Sequence, residues 1–563
     1  MCSRPCRHPS CVLGLLAACA AIAWSTTALA VDADPSNYTS VVPTLQPGDT
    51  LNLAAGTYTD GLAISNLNGT ESTPITITGP PSGPAAIIQA PTSGCCNDVE
   101  ITQSSYLVLA HLTIDSAGGD GIFGLSAKDG TSNLVHHVTV EDCTFIGQGA
   151  GQQTVGISTK TPTWGWVIRR NVIDGAGTGL YLGNSDGSDP FVGGLIEYNL
   201  VKNTVGYDME IKFQNPRPAV AGMPTGDSTT IVRHNVFIKN DQPSPDGDRP
   251  NVLVGGFPAS GAGANDLYQI YGNLFFHNPR ESLLQVSGRV SIHDNVLVDA
   301  ASAAITLRDH DLPLELAHVY NNTVYTGADG IAFGNAAPQG DAVIGNLVFS
   351  PNPISGAITT QSQNLTAAVA DAANYVNAPS MTLGAMDFYP LVGQCQGAAF
   401  DLAAVSTDSD YDRDFNGTPK GGFTFRGAYA GEGTNPGWPL DDGVKGDVPG
   451  NGGNGGSGGS GTGGNGTGAG GNGAGASGGT SALPNGETPA EHSGCGCRVP
   501  ASPTGPAWPA WAAIAALAVL GARYSGRRSC SSSRKRSASV RTRLASHGFM
   551  SSSSASSTSR VTT

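Results

Sequence analysis

A short phrase recurs through the middle of the chain: a polar or small residue, an Asn, then two or three apolar or β-branched residues. It reads Arg170-Asn171-Val172-Ile173, Tyr198-Asn199-Leu200-Val201, His234-Asn235-Val236-Phe237, Gly272-Asn273-Leu274-Phe275, Asp294-Asn295-Val296-Leu297, Asn321-Asn322-Thr323-Val324 and Gly345-Asn346-Leu347-Val348. Successive ladder Asn residues lie 28, 36, 38, 22, 27 and 24 positions apart. Repetition at roughly 20 to 40 residues marks a stack of structural coils. Each repeat holds a short strand and no helical periodicity, so the coils are β. The spacing predicts an all-β parallel β-helix in which one Asn per coil stacks on the next. Such a ladder pairs side-chain amides that the interior would otherwise leave unsatisfied.

Only 13% of the 563 residues are charged and 78 are glycine, which suits β-coils joined by tight turns. A solenoid grows as one domain because each coil touches only its neighbours. Net charge is −15, and nine Lys/Arg with no acid follow Ala522, so the rest is more acidic still. Nucleic acid, which needs a positive surface, is excluded as a partner.

The N-terminus carries Arg4 and Arg7, an apolar run from Cys11 to Trp24, then Ala28-Leu29-Ala30. This predicts a secretory signal peptide over 1–30. The β-helix is expected over 31–430 as a monomer. A closing segment from about 351, ending near Gly427-Ala428-Tyr429, is expected to cover the last open coil edge. Residues 431–490 read as a flexible Gly/Asn/Ser-rich linker. Residues 491–528 hold Cys495-Gly496-Cys497, an apolar run from Ala507 to Ala522 and then Arg523, Arg527 and Arg528. A basic Ser-rich tail, expected to be disordered, occupies 529–563. In an oxidising compartment Cys143 is expected to bridge Cys95 or Cys96, with Cys395 left free.

Strands of a β-helix bury alternate side chains. Aligning inward pairs Leu180/Leu182, Met209/Ile211, Val252/Val254, Leu284/Val286, Ile305/Leu307 and Ile331/Phe333 leaves two outward columns. The first is Tyr181, Glu210, Leu253, Gln285, Thr306, Ala332; the second is Gly183, Lys212, Gly255, Ser287, Arg308, Gly334. Lys212 between two glycines predicts an open groove floor, with Asp208 and Glu210 on the same face. Insertions at 214–229, 240–250 and 255–265 are expected to wall it. Removing the proton beside a uronate carboxylate needs a base and a cation to hold the carboxylate. Lys212 is the expected base, with Arg233, Arg249 or Arg308 steadying charge. Tyr181, Gln285 and His310 are expected to contact substrate. Asn184, Asp186, Asp189, Asp208 and Glu210 form a candidate Ca²⁺ set. Asp309-His310-Asp311, before Pro313, reads as a turn or as an acid/base pair; His234 and His293 read as structural.

The opening Pro47-Gly48-Asp49-Thr50 and Ala55-Gly56-Thr57-Tyr58, with the closing Gly427-Ala428-Tyr429, resemble the ends of secreted bacterial right-handed parallel β-helix proteins such as pectate lyases, chondroitinase B and related alginate lyases. In the latter branch a Ca²⁺-binding Glu precedes the base Lys, and an Arg follows one coil later. Glu210 and Lys212 look similar, at shorter spacing, and Arg249 is the only Arg near the following coil. The segment of about 490 to 528 resembles the MYXO-CTERM sorting tail, which implies attachment to the cell envelope. Three functions are therefore expected in order: a surface-tethered lyase acting on acidic polysaccharide, a non-catalytic carbohydrate-binding or adhesive β-helix, and a uronate C5-epimerase.

Overall fold

The computed structural model describes residues 28–91 and 97–448. The expected signal peptide through residue 27, the expected linker beyond Val448, and the expected sorting and basic tails lie outside the described residues, whereas Ala30 already belongs to the first strand. Among the described residues, no helix is long and apolar enough to cross a membrane.

The chain is a single right-handed β-helix. Three parallel sheets of 13, 12 and 11 strands run its length, and each full coil gives one strand to each. The first sheet runs from Ala30–Ala33 to Gln361–Ser362, the second from Gly56–Tyr58 to Leu365–Ala367, and the third from Leu62–Ser65 to Asn352–Gly356. Inward side chains such as Leu180, Met209, Val252, Leu284, Ile305 and Ile331 are fully buried in one continuous core.

The Asn ladder is present and one rung longer than its phrase suggests. Asn171 Nδ2 donates to Asn199 Oδ1 at 3.0 Å, and the pattern repeats through Asn235, Asn273, Asn295, Asn322, Asn346 and Asn364. Each acceptor oxygen also takes the backbone N–H of the Asn one coil before, as from Asn199 to Asn235 at 3.0 Å. The residue before each ladder Asn has positive φ: Arg170, Tyr198, His234, Gly272, Asp294, Asn321, Gly345 and Gln363. This left-handed turn explains why that place favours Gly, Asn, Asp and His. At Gly272 space decides as well, since a Cβ there would stand 2.5 Å from His234 Nδ1.

The first part of the closing segment supplies the last strand of each sheet, Asn352–Gly356, Gln361–Ser362 and Leu365–Ala367. Residues beyond about 370 instead run along the outer face of the second sheet, where Phe388, Tyr389, Phe415, Tyr429 and Leu440 pack on Leu200, Val236, Leu274, Phe276, Val296 and Val298. That is why Leu274-Phe275-Phe276 and Val296-Leu297-Val298 are continuous apolar runs: a parallel sheet buried on both faces has no polar alternation. Residues 431–448, assigned by composition to the linker, also belong to this cover. Lys445 Nζ, 2% exposed as a residue, donates to the carbonyls of Gly272 and Phe415 at 2.8 Å each. Val448 N donates to Tyr198 Oη at 3.4 Å.

Between cover and coils lies a stack of rings, Tyr271 on His293 at 4.7 Å and His293 on Tyr320 at 4.6 Å. His234 and His293 are thus structural. Burial pushes the His293 imidazole down to about 3, with the Lys420 ammonium adding to the effect. A folded value below the unfolded 6.5 means stability present above pH 6.5 that is lost as pH falls toward 3. His293→Gln, which cannot titrate, is therefore expected to lose about 2 kcal/mol less than the parent between pH 6.5 and 5, read from urea unfolding at both pH values. Equal losses in the two proteins would refute this.

Cys143 is buried, its thiol donating to the Glu141 carbonyl at 3.3 Å. Its expected partners Cys95 and Cys96 lie outside the described residues. Cys395 is a buried free thiol.

Candidate functional site

The two outward columns pair as the spacing predicts. In the third sheet Tyr181 faces Glu210, Glu210 faces Leu253, Leu253 faces Gln285, Gln285 faces Thr306 and Thr306 faces Ala332. The floor is less open than the glycines imply. A Cβ at Gly183 would stand 3.3 Å from Lys212 Cβ, so that glycine does make room beside the lysine. A Cβ at Gly255 would collide with the Phe213 backbone, so that glycine lets residues 212–214 cross rather than clearing space for a ligand.

Lys212 Nζ lies 2.9 Å from Glu210 Oε1, with side chains 13% and 4% exposed. Around this pair is a polar cleft of about 190 Å³, lined by Gln152, Thr178, Tyr181, Tyr207 and Arg249 among others. The 240–250 insertion forms its wall and is pinned in place. Gln152 Nε2 donates to the Gly247 carbonyl and Gln152 Oε1 accepts from Asp246 N, both at 2.9 Å. Ser244 Oγ donates to the Val205 carbonyl at 2.7 Å. The wall holds the Arg249 guanidinium over the Tyr207 ring at 5.6 Å. Burial pushes the Tyr181 and Tyr207 hydroxyls well above the usual phenol range, with the Glu210 carboxylate adding to it, so both stay protonated donors. The other two insertions meet where Arg217 N donates to the Ala262 carbonyl at 3.3 Å, and Arg217 also forms a buried ion pair with Asp266 just beyond the second of them.

Of the expected site residues, Tyr181, Glu210, Lys212 and Arg249 meet in this cleft. Arg233 does not: it belongs to the first sheet, ion-paired with Glu197 at 2.7 Å and bonded to Tyr271 Oη at 3.1 Å. Gln285 lies two coils beyond Glu210, buried. Arg308 lies three coils beyond Lys212, exposed. Residues 309–312 form a turn in which His310 and Leu312 exchange backbone bonds of 3.0 and 2.6 Å, and His310 Nε2 lies 3.6 Å from the Asp311 carboxylate.

The expected Ca²⁺ set is not assembled. Asp208 faces away from the groove, fully buried. It accepts from Thr204 Oγ1 at 2.6 Å, and burial pushes its carboxyl up to about 7, with Lys239 opposing. Asp186 caps its own turn through Ser188 N at 3.0 Å, and Asp189 accepts from Asn184 Nδ2 at 3.0 Å. Among the described residues, no group of three or more His, Cys, Asp or Glu side chains is placed to hold a metal ion. Ca²⁺ takes six to eight oxygens, and Glu210 alone, already bonded to an ammonium, does not fit that demand.

Two contributors escaped the sequence reading. Tyr207 lies in a turn with no pattern to mark it. Lys160 was findable: strand Val155–Thr159 pairs with Thr178–Leu182, placing Ser158 beside Tyr181 and hence Lys160 beside Gly183. Extending the two columns one coil earlier would have included it. Its ammonium lies 5.1 Å from the Tyr181 ring centre and 5.6 Å from that of Phe123.

No family profile matches the chain, and no curated protein matches it in sequence. Solved structures with a similar fold include parallel β-helix lyases and epimerases. The PL6 family alginate lyase AlyGC is 14% identical with a TM-score of 0.39, over 64% of this chain and 55% of that one. This chain therefore spans little more than half the length of AlyGC. The A-module of Azotobacter vinelandii mannuronan C-5 epimerase AlgE4 is 16% identical with a TM-score of 0.34, over 58% and 92%. The PL6 family polysaccharide lyase Pedsa3628 from Pseudopedobacter saltans is 12% identical with a TM-score of 0.34, over 60% and 93%. None of them assigns a residue or a reaction to this chain.

Proposed function

We propose that the cleft acts on acidic polysaccharide, removing the proton beside a uronate carboxylate and expelling the glycosidic oxygen across the adjacent bond. What carries this reading is the meeting of an amine, a guanidinium, a carboxylate and two protonated phenols in one polar cleft. Arg249 holds the sugar carboxylate and drains charge from the developing anion. Lys212 takes the proton, with Glu210 at 2.9 Å as the resting place for the one its amine gives up. The electron pair becomes the new ring double bond, and a Tyr207 or Tyr181 hydroxyl protonates the departing oxygen. If a proton returns to the same carbon instead, the product is an epimer. We further propose that the protein works outside the cytoplasm, held at the cell envelope, because of its apolar N-terminal run and the Cys, apolar run and Arg cluster near its C-terminus.

The test is incubation with alginate, pectate and chondroitin, read by absorbance of the unsaturated uronate and by proton NMR of the polymer. New absorbance identifies a lyase, and inverted uronate without absorbance an epimerase. Neither signal on any substrate would overturn the proposal and favour a binding-only β-helix.

A further inference from the structure

The cleft and its margin hold three cations, Lys160, Lys212 and Arg249, against one lining carboxylate, Glu210, in a chain of net charge −15. Lys212 has that carboxylate. Arg249 spends its guanidinium on the backbone carbonyls of Asp248 and Asp246, at 2.9 and 3.1 Å. Lys160 has neither: its contacts are the Tyr181 and Phe123 rings, and it is partly buried. Among the described residues, neither Lys160 nor Arg249 forms an ion pair. A half-desolvated ammonium without an ion pair is costly, and an arriving anion would relieve that cost. Burial accordingly drives the Lys160 amine toward losing its proton, the Glu210 carboxylate opposing and the Lys128 ammonium assisting.

Resting on the proposed function, we infer that Lys160 is a carboxylate-binding subsite beside the reacting sugar, and that the groove holds uronate chains by its own cations, without a divalent ion. Lys160 and Lys212 occupy one column with only Gly183 between them. Coils are about 4.8 Å apart, so the two column positions stand about 10 Å apart along the stack. A polymer bearing a carboxylate on every sugar can meet both cations at once; a neutral glycan gains nothing from either. The shortage of oxygen ligands at Glu210 points the same way, since amines and a guanidinium stand where a metal-dependent site would gather acids.

Calorimetry with alginate and pectate hexamers tests this, run on the parent protein, on Lys160→Met and on Lys160→Arg, each in EDTA and after addition of CaCl₂. Met keeps an aliphatic stem beside the Tyr181 and Phe123 rings and removes the charge. Affinity is expected to be unchanged by EDTA, to fall about tenfold or more in Lys160→Met, and to return in Lys160→Arg. Parent-like binding by Lys160→Met would overturn the inference, as would binding lost in EDTA and restored by Ca²⁺. In both cases the polysaccharide reading survives. Failure of the parent to bind either hexamer or a chondroitin hexamer, with or without Ca²⁺, would instead bring down the proposed function itself.

Discussion

Lys212→Ala is expected to reduce turnover of whichever polysaccharide responds by about 10²- to 10⁴-fold, the usual loss on removing a positioned proton acceptor. Stability should fall as well, because Glu210 is 3% exposed and would lose the ammonium 2.9 Å away. The two losses can be separated. Lys212→Arg keeps a cation for Glu210 but offers no amine to accept a proton, since guanidinium stays charged at all working pH values. That variant should unfold like the parent and still turn over no substrate above the Ala level. Initial rates of unsaturated-product formation, with urea midpoints for all three proteins, decide the matter. Parent-like turnover by either variant would remove Lys212 from the chemistry.

How the site came to be half legible follows from the fold. A parallel stack with period-two side chains converts spacing into adjacency, so Tyr181, Glu210 and Lys212 could be set side by side from the inward pairs alone, and the pairing is as expected. Lys160 obeys the same rule but precedes the first strand aligned. What spacing cannot convey is the path of chain between strands. Gly255 and Gly183 look equivalent in the column, yet one admits a crossing backbone and the other a lysine stem. Asp208 alternates properly with Glu210, yet the turn from Thr204 draws it into the interior. Arg249 was the nearest Arg in sequence, and the Gln152 and Ser244 contacts that pin its loop bring it to the cleft. For the fold, the apolar runs of the second sheet held a clue that went unused: alternation is missing because the chain beyond residue 370 lies on them.

Asn273→Ala is the second large effect, an expected loss of about 3–5 kcal/mol of stability with the cleft chemistry unaltered where the protein is folded. Asn273 Oδ1 accepts from Asn235 N at 2.8 Å and from Asn235 Nδ2 at 3.0 Å. Its own Nδ2 donates to Asn295 Oδ1 at 3.0 Å and to the Val232 carbonyl at 2.9 Å. Every one of these groups is buried, so truncation leaves the Asn235 N–H without its acceptor in a dry interior. Asn364, the final rung among the described residues, is only partly buried and its side chain donates to no further ladder Asn there. Asn364→Ala should therefore cost about 1 kcal/mol. Urea denaturation of both variants gives the comparison. Similar losses at the two positions would mean that the ladder is a by-product of the turns rather than a source of cohesion.

An ordinary solenoid unzips, because its outermost turn is held by one neighbour and the next is then exposed to the same fate. Here the terminal stretch doubles back, and Lys445 is fastened beside His234 and Gly272, near the waist of the column. Peeling from the last coil must first draw that amine out of its carbonyl seat, so that end behaves less like a zipper than like a closed hasp.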